Sequence, residues 1–505
     1  MIDLIELTVE QCQAAFAAGT ITSEALTQAF LDRIAAYNPS LNAIIFLNPD
    51  ALATARDIDR RRAAGQKLGP LAGIPVVVKD PMDMAGLPTT AGWRLLHGPS
   101  GGVDLMPGTD SPVVARMRAA GTVILGKTNV PVLSATGSHA NDSWAGPTYN
   151  AAGREFLPGG SSAGTATAVA ASLAVLGLAE ETGGSIQNPA SAQALVGIKP
   201  TFALVPNAGV VPLSSNRDVV GPIARCVRDA ALTLDVLAGY TIEDPKTVAS
   251  VGHRPEGGYT SFLQTDALRG KRLGLYGPGW RDQPLTPETV SLYERAQAEI
   301  RALGAELVAD PFQGSGLAAL RQSTIPGRDF DARGLESVPY DLHQYLARLG
   351  PGAALKTFAA FATATAEEDA FGPQGVLSFM HNLKQFTACL ANPTSPPDLS
   401  DFIAAREAYL RIVNQMFAVH QLDALVFPQM RGPLPPLRGP DPILETTVSE
   451  INIAGLPVVT VPGGYYASGA PFGLVMVGQQ WSEATLLGCA YAYEQATHHR
   501  RAPVL

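Results

Sequence analysis

Charge is scarce in this 505-residue chain: 16% of residues are Asp, Glu, Lys or Arg against 46% hydrophobic, a balance that excludes a disordered, solvated polypeptide. Positive charge is scarcer still. With 36 Lys and Arg against 45 Asp and Glu the net charge is −9, which works against nucleic acid or an anionic membrane surface as partner and favours a small, uncharged or mildly polar one. Cysteine is limited to Cys12, Cys226, Cys389 and Cys489, scattered without C-x-x-C spacing, so neither a zinc site nor a disulfide framework is read and a reducing compartment is expected. The segment Met1 to Glu10 lacks a basic region followed by an apolar run, so no secretory signal is read and a cytoplasmic location is expected. No fixed-period repeat occurs, which disfavours solenoids and propellers.

What is present reads as α/β. Thr8 with Gln11 makes a capping box and Gly19 a stop; Leu26, Phe30, Ile34 and Tyr37 then recur at helical spacing until Asn38-Pro39, where the helix is expected to end. A third helix spans about 50–64 and stops at Gly65. Residues 73–78 form a short apolar run, read as a fully buried strand ending at Lys79 and Asp80, and a helix over 111–120 leads into a strand over 122–125. From Thr165 to Ala179 the chain is small, apolar and almost free of charge but shorter than the roughly 20 apolar residues of a membrane span, so one buried central helix is expected. Region 241–400 shows helical patches with Gly and Pro punctuation and reads as variable, substrate-facing helices. Strands are expected at 425–427, 458–461 and 473–477, and a helix at 482–496.

Three motifs compete for the chemistry. Residues 121–128 match G-x-x-x-x-G-K-[ST], the phosphate-binding loop, yet the variable positions are a β-branched strand and Pro131 follows, so a purely structural role is preferred. Gly160-Ser161-Ser162-Ala163-Gly164 matches the G-x-S-x-G nucleophile elbow, with Ser162 as nucleophile and His420 as one candidate base, although Pro158 makes a poor central strand before it. The third arrangement uses lysine. Serine needs a base within hydrogen-bond reach, and Lys79, at the end of a buried strand, is either a solvent-reaching strand terminus or an amine whose pKa is lowered by desolvation into the range of a base.

Lys79, the segment Gly159-Gly160-Ser161-Ser162-Ala163-Gly164 and the turn Thr182-Gly183-Gly184-Ser185 together resemble the amidase signature family, whose members hydrolyse amides and related acyl compounds. The resemblance covers most of the chain. Gly69-Pro70-Leu71-Ala72-Gly73-Ile74-Pro75, Gly126-Lys127-Thr128-Asn129, Gly197-Ile198-Lys199-Pro200-Thr201 and Gly455-Leu456-Pro457 follow the family's landmarks in order. It implies that Ser185 is the acyl-accepting nucleophile, Ser161 the bridging serine held by a cis peptide bond, and Lys79 the general base. The two serines stand 24 residues apart, in agreement with the family pattern. Thr182, Gly183, Gly184 and Ser185 then form the oxyanion hole through backbone N–H donors. Two departures stand out. The family's usual Gly-Thr-Asp-Thr is here Ala179-Glu180-Glu181-Thr182, and its Ile-Arg is Ile186-Gln187, so a bracing ion pair is expected to be a Glu181–Gln187 hydrogen bond.

The expected fold is therefore the amidase-signature α/β fold, a mixed and mostly parallel central sheet covered by helices on both faces. It is read as one domain over 1–505, with N-terminal helices to 65, a catalytic core over 66–240, the variable region over 241–400 and a return to the core over 401–505. The expected activity is cleavage of amide, aryl-amide or carbamate bonds through an acyl-enzyme, and the alternative is the A-type subunit of a glutamine-dependent tRNA amidotransferase. No metal or cofactor is implied, the partner is a small-molecule amide or carbamate rather than nucleic acid or membrane, and a homodimer is left open. Substrate contacts are expected from Thr136, Gly137 and Ser138 and from 310–400.

Overall fold

The computed structural model of the chain describes residues 2–325 and 329–505. Eleven strands form one sheet: β1 (Ile44–Leu47), β2 (Pro75–Lys79), β3 (Val123–Thr128), β4 (Leu176–Glu181), β5 (Val196–Lys199), β6 (Val219–Ala224), β7 (Arg272–Leu275), β8 (Glu306–Val308), β9 (Ala424–Pro428), β10 (Val458–Tyr465) and β11 (Pro471–Val477). Their spatial order is β1-β3-β2-β4-β6-β5-β10-β11-β9-β7-β8, and helices flank the sheet. The α/β class and the mixed sheet agree with expectation, but the sheet is not mostly parallel. Four pairings are parallel, β2–β3, β2–β4, β7–β8 and β7–β9, and six are antiparallel. Parallel neighbours need a crossover of a dozen or more residues, whereas β10 and β11 are joined by the short segment 466–470, which allows only a hairpin.

Local signals explain most boundaries. Thr8 accepts from the Gln11 backbone N–H while the Gln11 side chain accepts from the Thr8 N–H, starting helix Val9–Ala17. The next helix, Ser23–Leu41, runs past its expected end because Pro39 is accommodated in the last turn. Asn42, in the left-handed region at φ 51°, stops it. The apolar run expected to be one central helix is split. Helix Ala163–Ala170 ends at Ala171, Ser172 turns the chain at φ 53°, and the remainder becomes β4. Every residue of both pieces is buried, and a segment buried on all sides has no periodicity to separate helix from strand. Region 241–400 likewise contributes the unexpected strands β7 and β8, besides helices such as Val338–Arg348 and Phe358–Ala364.

The main core lies on the sheet. A second apolar cluster joins Leu335, Val338, Leu342, Leu346 and Phe361 to Trp93, Leu95 and Leu133, and so packs part of region 241–400 against the segments that follow β2 and β3. The carboxyl ends of strands are where open α/β sheets offer a crevice to ligands. Among the described residues, no helix is long and apolar enough to cross a membrane.

Candidate active site

The parallel pairing of β2 with β4 places Val76, Val77 and Val78 beside Leu176, Gly177 and Leu178, and so brings the last residue of β2 next to the last residues of β4. Lys79 is fully buried there, and its Nζ meets three oxygens: Ser161 Oγ at 2.7 Å, the Glu180 carbonyl at 3.0 Å and Glu180 Oε2 at 2.6 Å. Burial pushes the lysine below its ordinary value, and the Glu180 carboxylate opposes that shift. Ser161 follows a cis peptide bond with Gly160 and is itself fully buried.

Ser185 lies in the turn between β4 and the short helix Gln187–Ala192, with Gly184 before it at φ 94°, a conformation that favours glycine. The Ser185 hydroxyl makes no hydrogen bond among the described residues, nor do the backbone N–H groups of Gly183, Gly184 and Ser185, whereas those of Ile186 and Gln187 are both taken by Glu181 Oε2 at 2.8 and 3.1 Å. Glu181 Oε1 accepts from the Gln187 side chain at 2.5 Å and from Asn452 at 2.9 Å. A carboxylate with four donors thus braces the turn from beneath. Arg217, also buried, donates to the Thr182 carbonyl at 3.2 Å. Thr182 Oγ1 lies 3.2 Å from Glu180 Oε1 and 2.5 Å from Asp218 Oδ1, and burial together with the Glu180 charge pushes Asp218 up to about 8.

Above this turn opens a pocket of about 260 Å³ lined by Thr182, Gly183, Ser185, Thr136, Gly137 and Ser138. Asn188 ties the turn to the opposite loop, donating to the Gly137 carbonyl at 3.1 Å and to Glu445 at 2.9 Å. Region 241–400 supplies Ile325, Asp329, Phe330, Leu335 and Phe379. Sequence reasoning missed Arg281, Arg431, Ile443 and Glu445, which also line the pocket and carry no local motif. Arg281 is committed to Glu450 at 2.8 Å, whereas Arg431 has no ion pair among the described residues and its buried Nε lacks an acceptor.

The competing motifs do not form sites. Lys127 of the phosphate-loop match is fully buried inside β3, where it donates to the Pro88 carbonyl at 2.7 Å and to Thr89 Oγ1 at 3.0 Å and pairs with Asp80 at 3.4 Å. Ser162 is buried with its hydroxyl on the Glu180 carbonyl at 3.3 Å. His420 ends the long helix Ser400–His420, where its carbonyl accepts from Arg272, and it makes no hydrogen bond to Ser162.

Comparisons with known proteins bear on the chain as a whole. The amidase family profile matches residues 25–319. The A-type subunit of the glutamyl-tRNA(Gln) amidotransferase of Thermosynechococcus vestitus is 34% identical, over 95% of this chain and 96% of its own. A probable amidase of Arabidopsis thaliana is 32% identical over 99% and 91%. The crystal structure of the peptide amidase from Stenotrophomonas maltophilia superposes with a TM-score of 0.81 and is 37% identical, covering 99% of this chain and 98% of that one. Buried lysine, cis-linked serine and pocket-facing serine thus occur on a fold and a sequence shared along nearly the whole chain: the protein belongs to the amidase signature family.

Proposed function

We propose that the chain is a free-standing hydrolase of carboxamide-type C–N bonds in which Ser185 is the nucleophile, Ser161 the proton bridge and Lys79 the base. The observation that carries this reading is the 2.7 Å contact between the fully buried Lys79 Nζ and Ser161 Oγ, beneath a pocket whose wall includes Ser185. Serine is a weak nucleophile at neutral pH. Its proton passes to Ser161, whose own proton passes to the neutral amine of Lys79, while the Ser185 oxygen bonds to the substrate carbonyl carbon. The negative oxygen that forms takes up the unpaired N–H groups of the Thr182–Ser185 turn, a contribution worth about 10²–10³ in turnover for a single donor. Lys79 returns the proton through Ser161 to the departing amine, and water then releases the acyl group by the same route.

The likeness to the peptide amidase supports amidated peptides as the first substrates to test, with anilides and carbamates beside them. The 34% identity to one chain of a tRNA amidotransferase supports a second reading, a chain that works only within a larger assembly. Gel filtration of the purified chain and assay on an amidated dipeptide and a chromogenic anilide separate the two. Turnover by the isolated chain that disappears in Ser185→Ala, with an electrophilic phosphonate attached to Ser185 in the wild type, is the expected outcome. An isolated chain inert to every amide, active only with partner subunits, would sink the free-standing reading.

A further inference from the structure

Glu180, near the end of β4, points its carboxylate at the proposed base. We infer that Glu180 is a positioning residue for Lys79: it directs the lone pair of the neutral amine toward Ser161 and sets a negative charge against that amine. The inference rests on the Ser185–Ser161–Lys79 reading and adds to it.

Counting hydrogens carries the first half. An ammonium has three N–H groups, and Lys79 has three oxygens within 3.0 Å, so the charged form is fully satisfied. A neutral amine has two N–H groups and one lone pair. Of its three neighbours, the Glu180 carbonyl and the Glu180 carboxylate can only accept, so they take both N–H groups. The lone pair is left for Ser161, the one neighbour with a proton to give. A threonine hydroxyl at this position could donate to the lone pair and compete with Ser161; an ionised carboxylate cannot.

Coulombic attraction carries the second half. An opposite charge at 2.6 Å between two buried side chains stabilises the ammonium and delays its loss of a proton as pH rises. The charged groups facing this pair come from neighbouring elements. Glu181 ends the same strand; Asp218, before β6, reaches Glu180 through the shared Thr182 hydroxyl; Arg217 lies beside Asp218; and Asp341 and Lys246 stand behind Asp218. Of these, only Glu180 forms a hydrogen bond with Lys79.

The test uses the full chain and a fluorophosphonate probe, so it needs no knowledge of the natural substrate. The rate of labelling at Ser185 is followed against pH in wild type, Glu180→Gln, Glu180→Thr and Asp218→Asn. The expected result is that the acid limb moves down by about 1–3 pH units in both Glu180 variants, with a lower plateau in each because the glutamine amide N–H and the threonine hydroxyl can both donate to the lone pair. A limb that stays in place in both Glu180 variants, or that moves only in Asp218→Asn, overturns the inference. Should neither Glu180 variant fold, Glu180→Asp decides instead, since it keeps the charge but draws it back from Lys79 by one methylene: an acid limb and a plateau identical to those of the wild type overturn the inference. Label that remains in Ser185→Ala would instead refute the triad reading and remove this inference with it.

Discussion

At the scale of single residues the site is built from buried polar groups held by direct hydrogen bonds. Lys79 is proposed as the base, and its neighbours leave it one proton-giving contact, Ser161. Lys79→Ala is expected to lower kcat by about 10²–10⁴, the usual contribution of a positioned base, at every pH in the working range; steady-state rates on an amidated dipeptide check this. Gln187 is different. It is fully buried, bonded to Glu181 and absent from the pocket wall, so it acts through the turn. Gln187→Arg is therefore expected to change kcat/KM by a similar factor for two substrates of unequal leaving-group size. A ratio shifted more than about tenfold, or 1.4 kcal/mol, would give Gln187 a direct role in selectivity.

At the scale of elements, close approach between strands accounts for residues that local pattern alone assigns to a ligand. Gly126 and Lys127 complete the phosphate-loop match, but a Cβ on Gly126 would sit 2.0 Å from the Phe46 carbonyl of β1, and Lys127 neutralises Asp80 beneath the sheet. Gly126→Ala is expected to destabilise by about 1–3 kcal/mol through overpacking, and Lys127→Ala by about 3–5 kcal/mol because Asp80 is left buried and unpaired. Urea unfolding of each variant measures both, and ATP should leave the wild-type Tm unchanged. The competing expectation, a nucleotide-binding loop, would give the reverse: a ligand-dependent Tm and little cost from the alanine at Gly126.

At the scale of the whole molecule, several buried carboxyl groups oppose high pH. Burial, with the Glu180 charge in the last case, pushes Asp83 up to about 6, Glu494 to about 7 and Asp218 to about 8. Their unfolded values lie near 4, so between about pH 4 and 8 the folded chain holds more protons than the unfolded one. The stability they contribute is fully present below about pH 4 and is lost as pH rises through 6, 7 and 8. The part of the melting temperature these three groups carry is expected to fall between about pH 6 and pH 9, so Asp218→Asn should lose less Tm than the wild type across the upper part of that range. Differential scanning calorimetry across this range is the measurement. Activity should run the other way, rising with pH as Lys79 loses its proton, so the working range is bounded by the base below and by buried carboxylates above.

The α/β alternation, the capping box at Thr8, the strands at 458–461 and 473–477 and, through a family resemblance in short motifs, the candidates Lys79, Ser161 and Ser185 were legible in the order of amino acids. Each of these is a local signal: a spacing, a cap or a turn residue carries it without reference to distant parts of the chain. Tertiary structure alone decided the rest. Whether 165–179 was helix or strand depended on burial from all sides, which erases periodicity, and the share of antiparallel pairing depended on which strands met. The contact of Glu180 with Lys79 joins residues about a hundred positions apart and exists only because β2 pairs with β4 in one register. Side-chain chemistry is written at each position, but which charge faces which is fixed by strand pairing, and pairing is a property of the assembled sheet.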